Sequence, residues 1–244
     1  MHLCHTRTWN LFSILCSLII IAALTGCGGG GGGGSSAAVA PDLAVRQIQL
    51  GDAITYSVTT TTTDPANRAS TTTTGTMSYN VLNDTAQPQY GVRCLKLDAE
   101  LKIKQTVGQL SYKYAVYIEQ GEDGTQYYSG WTGTFDQVER RLVSSTDKPV
   151  YIPSPLSVGK TYTYTATYTN DGKRQINGEV VGYETVNGVK AYKLHETSPL
   201  NDINWSCDKW IAAELGYDVK MVQKRTMTDG TIVTTVYQLA TKNF

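Results

Sequence analysis

From Lys160 to Thr169 the chain reads Lys-Thr-Tyr-Thr-Tyr-Thr-Ala-Thr-Tyr-Thr, which puts Tyr162, Tyr164, Ala166 and Tyr168 on one face and threonines on the other. A period of two sustained this long specifies an extended strand whose two faces see different surroundings, since a helix repeats every 3.6 residues. Weaker alternation recurs over residues 53–62, 111–119 and 231–240. Between such runs lie Gly121-Glu-Asp-Gly124, Asn170-Asp-Gly172, Asn187-Gly188 and Asp229-Gly230. Asn-Gly and Asp-Gly supply the positive φ angles of tight hairpins. No segment carries a capped 3.6-residue periodicity, although residues 208–215 suit one or two helical turns as well as a strand. The expected fold is all-β: an antiparallel meander of about ten or more strands.

Two local strings recur in the same order. Leu50-Gly-Asp-Ala-Ile-Thr-Tyr56 resembles Val158-Gly-Lys-Thr-Tyr-Thr-Tyr164, and Gly91-Val-Arg-Cys-Leu-Lys-Leu97 resembles Gly188-Val-Lys-Ala-Tyr-Lys-Leu194. Their ordered recurrence points to two duplicated halves, residues 42–150 and 151–244, arranged as two modules or as one curved sheet.

The first forty residues are of another kind. Arg7 precedes an apolar run from Leu11 to Leu24 that is shorter than the roughly 20 residues of a spanning helix. Leu24-Thr25-Gly26-Cys27 then resembles the lipobox of bacterial lipoproteins. The resemblance implies a signal peptide over residues 1–26, cleavage between Gly26 and Cys27, and acylation of Cys27 with diacylglyceryl and fatty-acyl (palmitate-type) chains. Two or three chains hold a protein to a membrane where one is marginal. Gly28–Gly34, Ser35 and Ser36 follow, so residues 27–41 read as a lipidated cysteine on a flexible tether. Gly28 is not the aspartate that retains enterobacterial lipoproteins at the inner membrane, so the expected location is the cell envelope, at the outer membrane before the inner.

The C-terminal half carries Val158-Gly159-x-x-Tyr162-x-Tyr164, then Gly182-x-Glu184-x-Val186-x-Gly188-x-x-Ala191-Tyr192-Lys193-Leu194, then Trp210-Ile-Ala with Gly216-Tyr217-x-Val219-Lys220. This resembles TapB-type lipoprotein domains and the curved sheets of the LolA- and LolB-like carriers. The resemblance implies a curved sheet or half-barrel with an apolar concave face. The carriers close that face with helices, for which this chain offers no strong candidate.

Chemistry is sparse. Removing residues 1–26 takes out Arg7 and no acidic residue, leaving 20 basic and 21 acidic side chains, which gives no electrostatic reason to expect nucleic acid. One histidine, His195, remains, too few for a histidine-based acid–base or metal site. Cys94 and Cys207 either pair as a disulfide or stand as two small buried thiols. The expectation is therefore no enzyme, no catalytic residue, no metal and no cofactor. The remaining candidates are aromatic: Tyr127, Tyr128 and Trp131 in one cluster, and Tyr162, Tyr164 and Tyr168 on one strand face, serving as core or as a ligand surface. The functional expectation is a lipid-anchored binding or structural module, with two alternatives: a carrier of a lipid or other apolar ligand on the concave face, or a surface glycan-binding or adhesion protein. Its partners would be the membrane, through the acyl chains, and a lipid, glycan or envelope protein.

Overall fold

Each stretch with a period of two is extended in the structure. The computed structural model describes residues 40–87, 92–104, 108–133, 139–145, 147–169, 172–200 and 203–244. Among the described residues the first half contributes β1 (Ala53–Thr63), β2 (Ser70–Gln87), β3 (Val92–Lys104), β4 (Gln109–Gln120), β5 (Gln126–Gly133) and β6 (Glu139–Ser145). A short β7 (Val150–Ile152) precedes β8 (Thr161–Tyr168), β9 (Gly172–Val186), β10 (Val189–Leu200), β11 (Ile203–Ala212), β12 (Tyr217–Thr226) and β13 (Ile232–Lys242). The ambiguous residues 208–215 are the end of β11 and a turn. No described residue is helical.

All strands join one sheet in the order β4-β3-β2-β1-β13-β12-β11-β10-β9-β8-β6-β5-β7, and β4 also pairs with β5. Twelve strands thus return on themselves as a nearly closed antiparallel barrel, with β7 beside β6 on β5. The ring is thinnest at β6, where β5 and β8 each supply three paired residues. The two halves therefore form one continuous sheet rather than two modules.

The recurring strings occupy matching places in this ring, six strands apart. Leu50–Tyr56 enters β1 and Val158–Tyr164 enters β8. Gly51 N–H donates to Val81 O and Val81 N–H to Asp52 O; likewise Gly159 N–H donates to Val180 O and Val180 N–H to Lys160 O, all at 2.8–2.9 Å. Gly51 and Gly159 both turn at φ +89°, where a Cβ is strained. Val81 pairs with Leu97 and Val180 with Leu194, and a bulged residue follows each valine, Leu82 and Val181. A further bulge falls at Tyr117/Ile118 in β4–β5 and at Trp210/Ile211 in β11–β12.

One end of the barrel is crossed by residues 40–48, a strap ahead of β1. Gln120, at the end of β4, receives the Ile48 N–H at 2.6 Å and donates to the Ile48 carbonyl at 2.9 Å. Arg46 N–H donates to Ala213 O, in the turn after β11, at 2.8 Å. Since β4 and β11 stand six places apart, the strap runs from wall to wall. On the way it pairs Leu43 with Leu156, and Tyr192 donates to the Pro41 carbonyl. The strap thus takes in Pro41, which the sequence assigned to the tether. Val45 and Ile48 join Ile152, Leu156, Tyr192, Leu194 and Ile211 among the buried residues at this base.

Gly216 shows how closely the strap fits. A Cβ there would lie 2.2 Å from the Arg46 carbonyl oxygen, and its φ is +72°. Gly216→Ala should cost roughly 2 kcal/mol or more and expose the strap to protease. Gly182→Ala, with nothing within 4 Å, should stay within about 0.5 kcal/mol. Urea unfolding and limited proteolysis of the two variants check this.

Candidate functional site

Along β10 the residues Tyr192, Leu194, Glu196 and Ser198 share the inward face, and Cys207, Lys209 and Ile211 answer them on β11. Two full charges therefore sit inside the wall. Lys209 lies diagonal to Glu196 across the strand pair, and Lys209 Nζ donates to Glu196 Oε1 at 2.8 Å. Both side chains are almost wholly buried. Burial alone would depress the Lys209 ammonium, but the Glu196 charge, with that of Asp218, outweighs it and leaves the pKa raised. Lys209 also donates to the Tyr151 carbonyl at 3.1 Å, and Tyr162 Oη donates to Glu196 Oε1 at 2.5 Å. Burial and the neighbouring Glu196 push the Tyr162 hydroxyl well above its ordinary range, so it remains a donor.

Asp218, at the start of β12, extends this cluster. Its Oδ2 accepts from Tyr151 Oη at 3.1 Å, its carbonyl accepts from Tyr56 Oη at 3.0 Å, and its Oδ1 has no partner among the described residues. Burial drives the carboxyl up to about 6, against the opposing pull of Lys209 and Tyr151. Asp218 lines a cavity with Tyr56, Met77, Tyr79, Tyr151, Met221 and Tyr237. Its volume of about 10 Å³ is at the threshold for one water.

The sequence candidates are placed as follows. Tyr128, Tyr162 and Tyr164 meet inside the barrel with Trp205, around Ala166 and Ile176, so they pack as core. Tyr127 is on the other face of β5, where Lys148 Nζ lies 5.2 Å from its ring centroid. The expected cluster of Tyr127 with Tyr128 is thus divided by strand alternation. The side chains of Trp131 and Tyr168, and all of Gly26 and Cys27, lie outside the described residues. Cys94 and Cys207 are not joined in a disulfide, and both are buried thiols. They stand on β3 and β11, five places apart in the ring. Cys94 Sγ donates to Ser129 Oγ at 3.5 Å, and burial pushes the Cys207 thiol well up, away from the reactive thiolate. His195 faces outward, 2.6 Å from Asp208 Oδ1. Among the described residues no group of three or more His, Cys, Asp or Glu could hold a metal ion.

The sequence reading missed Glu196, Lys209 and Asp218. A signal existed for the first two: each falls two residues from a buried aliphatic, Leu194 or Ile211, in the same strand phase.

The chain matches no family model, and no curated protein matches it. Two solved structures resemble it. One is a candidate exported protein with a YmcC-like fold from Bacteroides fragilis, 15% identical over 83% of this chain and 100% of that one, with a TM-score of 0.41. The other is a β-barrel-like protein from Brucella abortus whose domain is of unknown function, 10% identical over 82% of this chain and 99% of that one, with a TM-score of 0.39.

Two outcomes follow from the cluster. Glu196→Ala strands the Lys209 ammonium and should destabilise by about 3–5 kcal/mol, whereas replacing both partners by Leu and Met should restore most of the loss; urea titrations of the single and double variants check this. Asp218 gives a pH dependence of defined sign. A carboxyl raised from an ordinary value near 4 to about 6 binds its proton more tightly when folded, so its contribution falls as pH rises from about 4 to 6. Asp218→Asn should match the parent near pH 4 and exceed it by roughly 3 kcal/mol above pH 6.5. The difference in unfolding free energy across that range measures it.

Proposed function

We propose that the chain is a lipid-anchored protein of the cell envelope whose barrel acts as a binding or structural module and not as an enzyme. The observation that carries this reading is the lipobox-like Leu24-Thr25-Gly26-Cys27, followed by Gly28–Gly34, ahead of a chain that enters its barrel as a strap bonded from wall to wall. An anchor attached through such a strap holds the whole barrel.

The interior supports the module reading. Glu196, Lys209 and Tyr162 satisfy one another by hydrogen bonds. His195 and Cys207 face opposite sides of the wall, which denies the thiol a histidine partner. The cavity beside Asp218, about 10 Å³, is far below the roughly 300 Å³ of a small-molecule pocket, so this charged corner of the interior does not house an acyl chain. Outer-membrane placement belongs to the same proposal and rests on Gly28.

Expression of the full chain tests the anchor. The parent should enter the membrane fraction, partition into detergent and carry acyl mass on its N-terminal peptide beginning at Cys27. Cys27→Ser should lose both the acyl mass and the detergent partition. A Cys27→Ser chain that still partitions, or a parent peptide without acyl mass, rejects the reading.

A further inference from the structure

The exposed large aliphatics among the described residues gather at one rim of the barrel, beside the exposed acidic side chains of Asp42, Glu122, Asp123 and Glu214. Of the large hydrophobic residues exposed among the described residues, Leu43, Leu50, Leu82, Val158 and Val181 lie at the end crossed by the strap, and Val143 lies elsewhere. Four of these form two matched pairs. The bond from Gly51 N–H to Val81 O brings Leu50 beside Leu82, and they are 60% and 64% exposed. Its counterpart from Gly159 N–H to Val180 O brings Val158 beside Val181, at 49% and 41%. The pairs sit on opposite sides of the ring, and Leu43, on the strap, pairs with Leu156, two residues before Val158. At the other rim the described turns Asp64–Ala69 and Met227–Thr231 are closed by Asp64, Asn67 and Asp229 carboxylate or amide oxygens accepting backbone N–H groups.

Leaving two such pairs in water has a cost that a monomeric soluble surface avoids by scattering its aliphatics. The chain itself indicates the occupant. The strap begins at this rim, and thirteen residue steps separate Ala40 from Cys27, a reach of at most about 45 Å. Any membrane holding Cys27 is therefore within reach of the aliphatic rim. We propose that the strap-side rim docks on the lipid surface that carries the anchor, with Leu50, Leu82, Val158 and Val181 entering the boundary between headgroups and acyl chains. This inference rests on the lipid-anchored reading. Docking holds the barrel upright, so that the opposite rim, with turns Asp64–Ala69 and Met227–Thr231, faces away from the membrane and towards any partner.

The test uses the lipidated full chain reconstituted into phosphatidylcholine vesicles at low protein density, with a polarity-sensitive dye on Gln49→Cys at the strap-side rim or on Asn67→Cys at the other. The expected result is a blue-shifted Gln49 label that is quenched by a shallow lipid-borne quencher, and an Asn67 label that is neither. Half-molar salt should leave this difference unchanged, because the contact is apolar and not ionic. Changing Leu50, Leu82, Val158 and Val181 together to Ser should bring the Gln49 label to the Asn67 value while the chain stays with the vesicles. Equal, water-like spectra at both positions in a vesicle-bound parent overturn the proposal, and this comparison involves no change to the aliphatic residues. A Gln49 shift that grows with protein density identifies a second copy as the occupant and also overturns it. A parent that leaves the vesicles altogether rejects the anchoring reading, and this inference with it.

Discussion

The contact on which the molecule depends is the pairing of its first long strand with its last. A meander leaves a row of unpaired N–H and C=O groups on each outer strand, and such edges invite pairing with other chains. Here β1 and β13 pair from Ile54↔Lys242 to Thr63↔Ile232, which removes both edges. Asn243 fastens the join: its Oδ1 accepts the Ala53 N–H at 2.7 Å and its Nδ2 donates to Gly51 O at 3.1 Å. Closure fixes the entry turn of β1, and through it the place where the strap starts across the base. Its partners are nearly the whole chain apart, so the barrel depends on contacts of the kind that form late in folding.

Closing twelve strands creates a second constraint, because an eight-stranded barrel is already just wide enough for wall side chains to fill. A wider ring has to be filled by longer side chains or by inserted segments, and this one uses both. Tyr56, Tyr79, Tyr114 and Tyr237 meet edge to face inside the first half, with ring centroids 6.1–6.5 Å apart. The strap and the Val150–Leu156 segment supply Val45, Ile48, Ile152 and Leu156. Tyrosine reaches further than the aliphatics but brings a hydroxyl that needs a partner when buried. Phenylalanine would need none, yet the chain has 16 tyrosines and 3 phenylalanines. The partners are the Asp218 carbonyl for Tyr56, Asp218 Oδ2 for Tyr151, Glu196 for Tyr162 and Met77 Sδ for Tyr79 and Tyr114.

These constraints explain what the sequence did and did not disclose. Alternation is local, so β1, β4, β8 and β13 were legible residue by residue, and Asn187-Gly188 was legible as a hairpin because both residues need positive φ, 50° and 79°. The paired strings were legible because each carries a glycine ahead of the start of a strand. Closure was not: nothing near Ile54 or Lys242 records that they will meet. The strap was not either, since residues 40–48 have no periodicity and are held by bonds to residues far away in the chain. Alternation also divides a strand into two faces without saying which is inside. Tyr162 and Tyr164 therefore read equally as core or ligand surface until the ring closed around them, and Glu196 and Lys209 went unmarked.

The matching halves allow one more step. Register sets Glu196 against Ala99, Cys207 against Tyr114, Lys209 against Val116 and Asp218 against Tyr128 as equivalent places in the two halves. At all four the first half is uncharged, and Ala99 and Tyr114 simply join its core. At these four places the same backbone, with the same bulges, is thus filled once without charge and once with an ion pair and a buried carboxyl. The charged cluster is therefore no requirement of the architecture. It carries a desolvation cost that the first half avoids, and the hydrogen bonds from Tyr151 and Tyr162 tie it to both the inserted segment and the wall. Whatever distinguishes the interior of this barrel from mere packing is concentrated in the second half, between β8 and β12, and not in the symmetric frame that surrounds it.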